Sequence, residues 1–367
     1  MKKKAKVGSP GSPRLLPRIG LGHAVRARTA LTAPRRGPTV IFSGSSGLFE
    51  TPVSNDDQKP RVCRPRRDGR RRTAVTVARD FGLSRTDCPV PGRSSTVAVF
   101  GIGGSALAVF AATDPFLGGP SKPGIHHIAV EVPDLYAAPR AATDAGIAVF
   151  DTEPRPGLAG SRRLLLAPRA TCGVRTYLSE PFPIERSRSD WVERIDHIGV
   201  ASADNRAAVE AFVTRLGHPL ESTQTDMEAK MTIESFTSDT YGAVYHARPP
   251  EPVGGLRVTF VTFGDCELEF LEDFDPRQGA QILHGEAGTT KQDQSAISKF
   301  IAARGPGLHH IALKVPDINA MLTKLERAGH LLIDRLGRPG SRRAQIGFLH
   351  PKTLNGVLAH LVEREDR

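Results

Sequence analysis

One stretch of this chain occurs twice. Gly124-Ile125-His126-His127-Ile128-Ala129-Val130 is matched 183 residues later by Gly307-Leu308-His309-His310-Ile311-Ala312-Leu313. The same offset relates Val132-Pro133-Asp134 to Val315-Pro316-Asp317, Ala145-Gly146 to Ala328-Gly329, Arg155-Pro156-Gly157 to Arg338-Pro339-Gly340, and Gly173-Val174 to Gly356-Val357. Ser161-Arg162-Arg163 pairs with Ser341-Arg342-Arg343 only after a three-residue slip. A second ladder, at an offset of 161, joins residues 104–110 to 265–271 and Thr113-Asp114-Pro115 to Phe274-Asp275-Pro276. Self-similarity at fixed offsets marks duplicated supersecondary units.

The last unit reads as a strand, a helix and three strands. Residues 309–315 alternate as a strand. Asp317 can cap a helix carrying Met321, Leu322, Leu325 and Ala328 at helical spacing, and Gly329 can end it. Strands are expected at 331–334, 344–349 and 357–362. A similar unit starts at Ile195, with a helix through Ala208, Phe212 and Leu216 that stops at Gly217.

The formal charge of +11 does not belong to these units. Residues 1–72 hold 18 Lys or Arg against 4 Asp or Glu, so the remainder is slightly acidic. That segment, rich in Arg, Pro, Gly and Ser, is expected to be a basic, disordered arm. Domains are expected at 73–185 and 191–367. Nucleic-acid binding finds no support, because no aromatics interleave the basic residues. No apolar run is long enough for a spanning helix. Four scattered cysteines without a C-x-x-C pair fit a reducing cytoplasm.

Successive residues of a strand face opposite sides of the sheet. Ile311, Leu313 and Val315 share one face, which leaves His310 on the other. By the same phase, His197 opposes Ile198 and Val200, Glu269 opposes Leu268 and Phe270, and His360 opposes Val357 and Leu361. Four strands each present a metal-competent side chain. Imidazole with carboxylate suits one divalent ion of Fe, Co, Ni, Mn or Zn. Open coordination positions would receive a substrate oxygen pair.

Five stretches then carry a family resemblance: Ile195-Asp196-His197-Ile198-Gly199-Val200, Glu267-Leu268-Glu269-Phe270-Leu271, Gly307-Leu308-His309-His310-Ile311-Ala312, Gly347-Phe348-Leu349-His350-Pro351 and Gly356-Val357-Leu358-Ala359-His360-Leu361. Together they make residues 193–364 resemble the vicinal oxygen chelate (glyoxalase/bleomycin resistance/dioxygenase) superfamily, most of all its methylmalonyl-CoA epimerases. The resemblance implies an α+β fold in which tandem βαβββ modules form two cup-shaped barrels. It implies His197, Glu269, His310 and His360 as metal ligands. The last ligand in the family is usually Glu, and His360 departs from it.

The N-terminal half resembles the same superfamily without a metal. Ala108 stands for Glu269, His127 for His310 and Tyr177 for His360, and no histidine matches His197. The layout of two barrels with one metal resembles the extradiol and 4-hydroxyphenylpyruvate dioxygenases. Epimerase- or isomerase-like enolate chemistry on a small acyl-CoA or oxo-carboxylate is the leading expectation. A non-haem Fe(II) dioxygenase and a small-molecule binding or resistance protein are the alternatives. Glu267 and Lys314 are candidates for proton transfer, and Arg342 and Arg343 for gripping a substrate anion. His309 and His350 are expected to pack or to turn the chain, and residues 284–294 to form a lid or a long connection. A small-molecule substrate is the expected partner, with a homodimer the assembly considered.

Overall fold

The computed structural model of the protein describes residues 37–44, 69–275 and 296–365. Most of the expected arm and the expected lid lie outside the described residues. The first half runs β1 (Thr39–Gly44), α1 (Gly69–Val75, continued as a π-turn through Asp80), β2 (Arg85–Pro89), β3 (Thr96–Ile102) and β4 (Ser105–Ala111). It then repeats the pattern as β5 (Gly124–Glu131), α2 (Ala138–Asp144), β6 (Arg155–Pro156), β7 (Arg162–Leu165) and β8 (Thr176–Ser179). The second half runs β9 (Arg194–Ala201), α3 (Asn205–Val209, continued as a π-turn through Arg215), β10 (Leu220–Lys230), a hairpin of β11 (Ile233–Ser238) and β12 (Gly242–Ala247), β13 (Glu251–Phe263) and β14 (Cys266–Phe274). After α4 (Ala296–Arg304) come β15 (Gly307–Lys314), α5 (Ile318–Arg327), β16 (Arg338–Pro339), β17 (Gln345–Leu349) and β18 (Leu358–Glu363).

Each half is one eight-stranded sheet, ordered β2-β3-β4-β1-β5-β8-β7-β6 and β10-β13-β14-β9-β15-β18-β17-β16. Apart from the inserted hairpin the two orders correspond strand for strand, so tandem βαβββ modules are what the duplication encodes. Within the modules, β1 pairs parallel to β4, β5 to β8, β9 to β14, and β15 to β18. The modules join through the antiparallel pairs β1–β5 and β9–β15. The first and last strands of both modules therefore lie side by side at the middle of each sheet.

Helix α5 shows how sequence sets this geometry. The Asp317 carboxylate accepts the Ala320 N–H at 2.8 Å, starting the helix. Ile318, Met321, Leu322 and Leu325 are buried against the sheet, each contributing roughly 1.5–3 kcal/mol. Gly329 ends the helix at φ 82°, a conformation that a side chain would strain.

Three expectations need correction. Residues 39–44, assigned to the arm, form a central strand with Val40, Ile41 and Phe42 fully buried. Six residues amid Arg, Pro and Gly are too short to show a period, yet they complete the first cup. The three-residue slip also disappears. Gly157 N–H bonds the Ser161 carbonyl as Gly340 N–H bonds that of Ala344, and Arg163 pairs with Arg155 as Ile346 pairs with Arg338. The offset of 183 thus holds throughout, and Ala159, not Arg162, corresponds to Arg342. Lastly, the strand expected at 331–334 shrinks to a single bridge between Leu332 and Leu349.

One hydrophobic core spans both halves, including Phe81, Phe100 and Val174 from the first and Phe212, Met321 and Leu322 from the second. Polar bonds cross the same boundary. His330 Nε2 lies 2.7 Å from Asp80 Oδ2, and Asn355 Nδ2 donates to Thr73 Oγ1 at 2.7 Å. Burial raises the Asp80 pKa, but Arg79 and His330 outweigh it and hold the carboxyl below its usual value. A depressed carboxyl stabilises the fold above its unfolded pKa, and that contribution is lost as pH falls through the folded value. Asp80→Asn is expected to cost about 1–3 kcal/mol at neutral pH. In thermal melts the gap from wild type should narrow on acidification. No helix among the described residues is long and apolar enough to cross a membrane.

Candidate metal centre

The four central strands of the second sheet, β14, β9, β15 and β18, each present one of the expected ligands on the concave face. Register sets their spacing. Gly199 on β9 lies opposite Glu269 on β14 and His310 on β15, while His197 lies opposite Ala312, itself opposite His360. Gly199 is required by close approach. A Cβ there would lie 2.0 Å from His310 Cε1 and 2.2 Å from Nδ1.

The side chains converge. Glu269 Oε2 is 3.3 Å from both His197 Nε2 and His310 Nε2, and His360 Nε2 is 3.2 Å from His197 Nε2. The ligand atoms of His197, His310 and His360 lie within 4.8 Å of one another, and all four residues are buried. Bonds of about 2.0–2.2 Å from N and O donors to one ion require such separations. Between the four ligands, Phe260 and Phe348 lies a cavity of about 30 Å³, room for little more than an ion and a coordinated atom or two. The donor set therefore fits a divalent cation.

Burial disfavours charge on all four groups, and their neighbours decide the outcome. For His197 burial pulls the pKa down, but Glu269 and the hydrogen bond to Asp196 raise it to about 9. Burial pushes Glu269 up, and His197 and His310 more than reverse that, leaving it well below its usual value. Burial lowers His310 with Glu269 opposing, and lowers His360 further with the other imidazoles. The cluster is one carboxylate balancing imidazoles, the charge state a metal cation would take over.

Asp196 supports the cluster from behind. Its fully buried carboxylate lies 2.8 Å from His197 Nδ1, which turns Nε2 toward the cup. It also accepts from Arg364 Nε at 2.9 Å and Arg342 Nη2 at 3.3 Å. Arg342 sits at the cavity edge with its guanidinium 3.7 Å from the centre of the Phe260 ring, and its Nη1 lies 2.6 Å from Glu267 Oε2. Its φ of 55° is unusual outside glycine and lets the side chain turn inward.

The structure thus brings together His197, Glu269, His310 and His360, with Arg342 beside them. Glu267 lies behind Arg342 and does not line the cavity. Lys314 is not at the cavity either; its Nζ is 3.3 Å from Glu193. Arg343 is in the same turn as Arg342 but does not line the cavity. His309 packs edge-on against Phe300, and His350 Nδ1 caps a turn by accepting the Lys352 N–H. Sequence reasoning missed Asp196, Arg364 and the aromatic walls Phe260 and Phe348. Of these only Asp196, adjacent to His197, left a local signal.

The first cup is built differently. Register places Thr39, Ala108, His127 and Tyr177 where the second cup has its four ligands. Arg163, in the position of Ile346, reaches into that cup. Its Nη1 is 3.1 Å from His127 Nε2, and its guanidinium stacks 3.8 Å from the Phe116 ring centre and 4.4 Å from that of Tyr177. A guanidinium held by aromatic faces occupies the space between positions that no longer offer a ligand set.

The second half is similar to known proteins. Residues 196–348 match the family described as glyoxalase/bleomycin resistance protein/dioxygenase superfamily. Ethylmalonyl-CoA/methylmalonyl-CoA epimerase of Cereibacter sphaeroides is 31% identical over 125 residues, covering 34% of this chain and 81% of that one. Mitochondrial methylmalonyl-CoA epimerase of Dictyostelium discoideum is 30% identical over 131 residues, covering 34% and 69%. The two-cup architecture is similar to that of a 4-hydroxymandelate synthase variant from Streptomyces coelicolor, with a TM-score of 0.52 at 15% identity over 90% of this chain and 93% of that one. With its paired modules, this chain belongs to the glyoxalase/bleomycin resistance protein/dioxygenase superfamily.

Proposed function

We propose that the chain is a metal-dependent enzyme that moves a proton beside the carbonyl of a small acyl-CoA or 2-oxo-carboxylate, as an epimerase or isomerase does. The observation that carries this is the convergence of three imidazoles and one carboxylate in a buried cup. The identity to epimerases named for methylmalonyl-CoA supports the substrate class. A divalent ion held by His197, Glu269, His310 and His360 would supply Lewis-acid stabilisation of negative charge on a substrate oxygen pair.

The other residues take roles that follow from their placement. Asp196 fixes the ring of His197. Phe260 and Phe348 exclude water, which strengthens every charge interaction in the cup. Arg342 and Arg364 offer guanidinium groups to a substrate carboxylate at the cavity edge. Glu267, behind Arg342 and outside the cavity, holds that guanidinium in place, and Lys314 lies away from the site. His360 in place of the family's usual Glu adds one unit of positive charge, which favours an anionic substrate. The free thiols Cys88, Cys172 and Cys266 support a reducing, cytoplasmic setting.

The test is hydrogen exchange at the carbon next to the substrate carbonyl in D2O, with oxygen uptake followed in parallel. Exchange on methylmalonyl-CoA or a 2-oxo acid, absent in His310→Ala and without oxygen uptake, is the expected result. The second reading, a non-haem Fe(II) dioxygenase, is favoured by the two-cup likeness to 4-hydroxymandelate synthase. Oxygen consumption coupled to substrate loss would select it and sink the first.

A further inference from the structure

The seam between the halves holds a second cavity, of about 480 Å³, bounded by residues 117–126 of one half and 300–308 of the other. Among the described residues its charged lining is Lys122, Arg175 and Arg304, with His126 beside them and no Asp or Glu. That is a local departure, because the residues after the arm carry a slight acidic excess. The halves close tightly below it: a Cβ on Gly173 would lie 2.2 Å from the Pro306 carbonyl oxygen.

The three cations are held in place by neutral partners. Lys122 Nζ donates to the Ala303 carbonyl at 2.9 Å, Arg304 Nη1 to the Pro123 carbonyl at 2.8 Å, and Arg175 Nη1 bonds His126 Nε2 at 2.7 Å. Each bond fixes a cation across or beside the seam without neutralising it, and each leaves further N–H groups of that cation to donate. The neighbouring His126 imidazole feels the excess. Burial lowers His126 to about 3, with Arg175 and Arg163 adding to the shift.

Fixed guanidinium and ammonium donors around a small open cavity are complementary to a multivalent oxyanion. A carboxylate would satisfy only part of this charge. A cavity of this size admits a diphosphate but not a duplex or a folded protein. From this geometry we infer that the seam is a binding site for a phosphate-bearing small molecule, separate from the metal cup and held by Lys122, Arg175 and Arg304.

Isothermal titration of the full chain with inorganic pyrophosphate and with ADP, at low ionic strength, tests this and separates a free anion from a nucleotide-borne one. Saturable binding of either probe is expected, weakening as salt is raised. Lys122→Ala/Arg304→Ala should weaken it at least tenfold. Because those residues bridge the halves, Arg175→Gln, which leaves both bridges in place, should weaken it comparably with an unchanged melting temperature. Absence of saturable binding in the wild type would overturn the inference. So would binding that survives intact in Arg175→Gln.

Discussion

Gly199→Ala is expected to abolish metal binding while the protein stays folded. Gly199 lies between the strands that carry Glu269 and His310, and the His310 ring leans across its Cα. The added methyl would stand 2.0 Å from His310 Cε1 and 2.7 Å from Nε2, far inside contact distance. Because Gly199 is extended, the backbone accepts alanine and the imidazole must leave instead. Overpacking of this kind costs about 1–3 kcal/mol. Loss of one ligand's position should lower metal affinity by at least about 100-fold, beyond the usual effect of disturbing a ligand's support. Gly254→Ala on β13 is the matched control, since a Cβ there meets nothing within 4 Å. Metal titration of both variants, with circular dichroism to follow the fold, checks the claim. Full metal occupancy in Gly199→Ala would contradict it.

Glu269→Gln should have the second large effect. Glu269 is the one carboxylate of the cluster and contacts His197 and His310 at 3.3 Å each. Glutamine keeps the shape and removes the charge that offsets the cation. Metal affinity is expected to fall by about 100-fold or more, and turnover with it. Removing one partner of a buried charged pair also destabilises the ion-free fold, by about 3–5 kcal/mol. Metal titration and thermal melts of the ion-free and loaded forms separate the two effects. Unchanged affinity would remove Glu269 from the ligand set.

The duplication and the cluster were legible in the sequence because both rest on short-range rules. A repeat at a fixed offset needs no knowledge of the fold. The alternation of a strand places His197, Glu269, His310 and His360 opposite their apolar neighbours without a tertiary contact. β1 was not legible, since Thr39–Gly44 is a single short strand in a segment whose composition argues against packing. The true equivalence of Arg342 was hidden for another reason. The adjacent Arg162-Arg163 and Arg342-Arg343 pairs lie 180 residues apart, whereas the ladder pairing of Arg155 with Arg163 keeps the register at 183.

The surroundings of the site depend on how the sheet curls. Arg364 follows β18 and reaches Asp196, 168 residues away in sequence, because the last strand lies beside the middle of the sheet. Phe260 and Phe348 come from strands on opposite flanks and meet the cup only after it closes. The guanidinium of Arg163 in the first cup is a tertiary fact of the same kind. Its sequence shows an arginine on a strand, while its role comes from Phe116, Tyr177 and His127 around it.

The most direct measurement is elemental analysis of purified full-length protein beside His310→Ala, after incubation with Fe(II), Co(II), Ni(II), Mn(II) and Zn(II) and removal of unbound ions. One tightly held divalent ion per wild-type chain is expected, and its loss in the variant. A wild-type chain that retains none of these metals, or a variant that retains as much as the wild type, would contradict the assignment of the four residues as a metal centre.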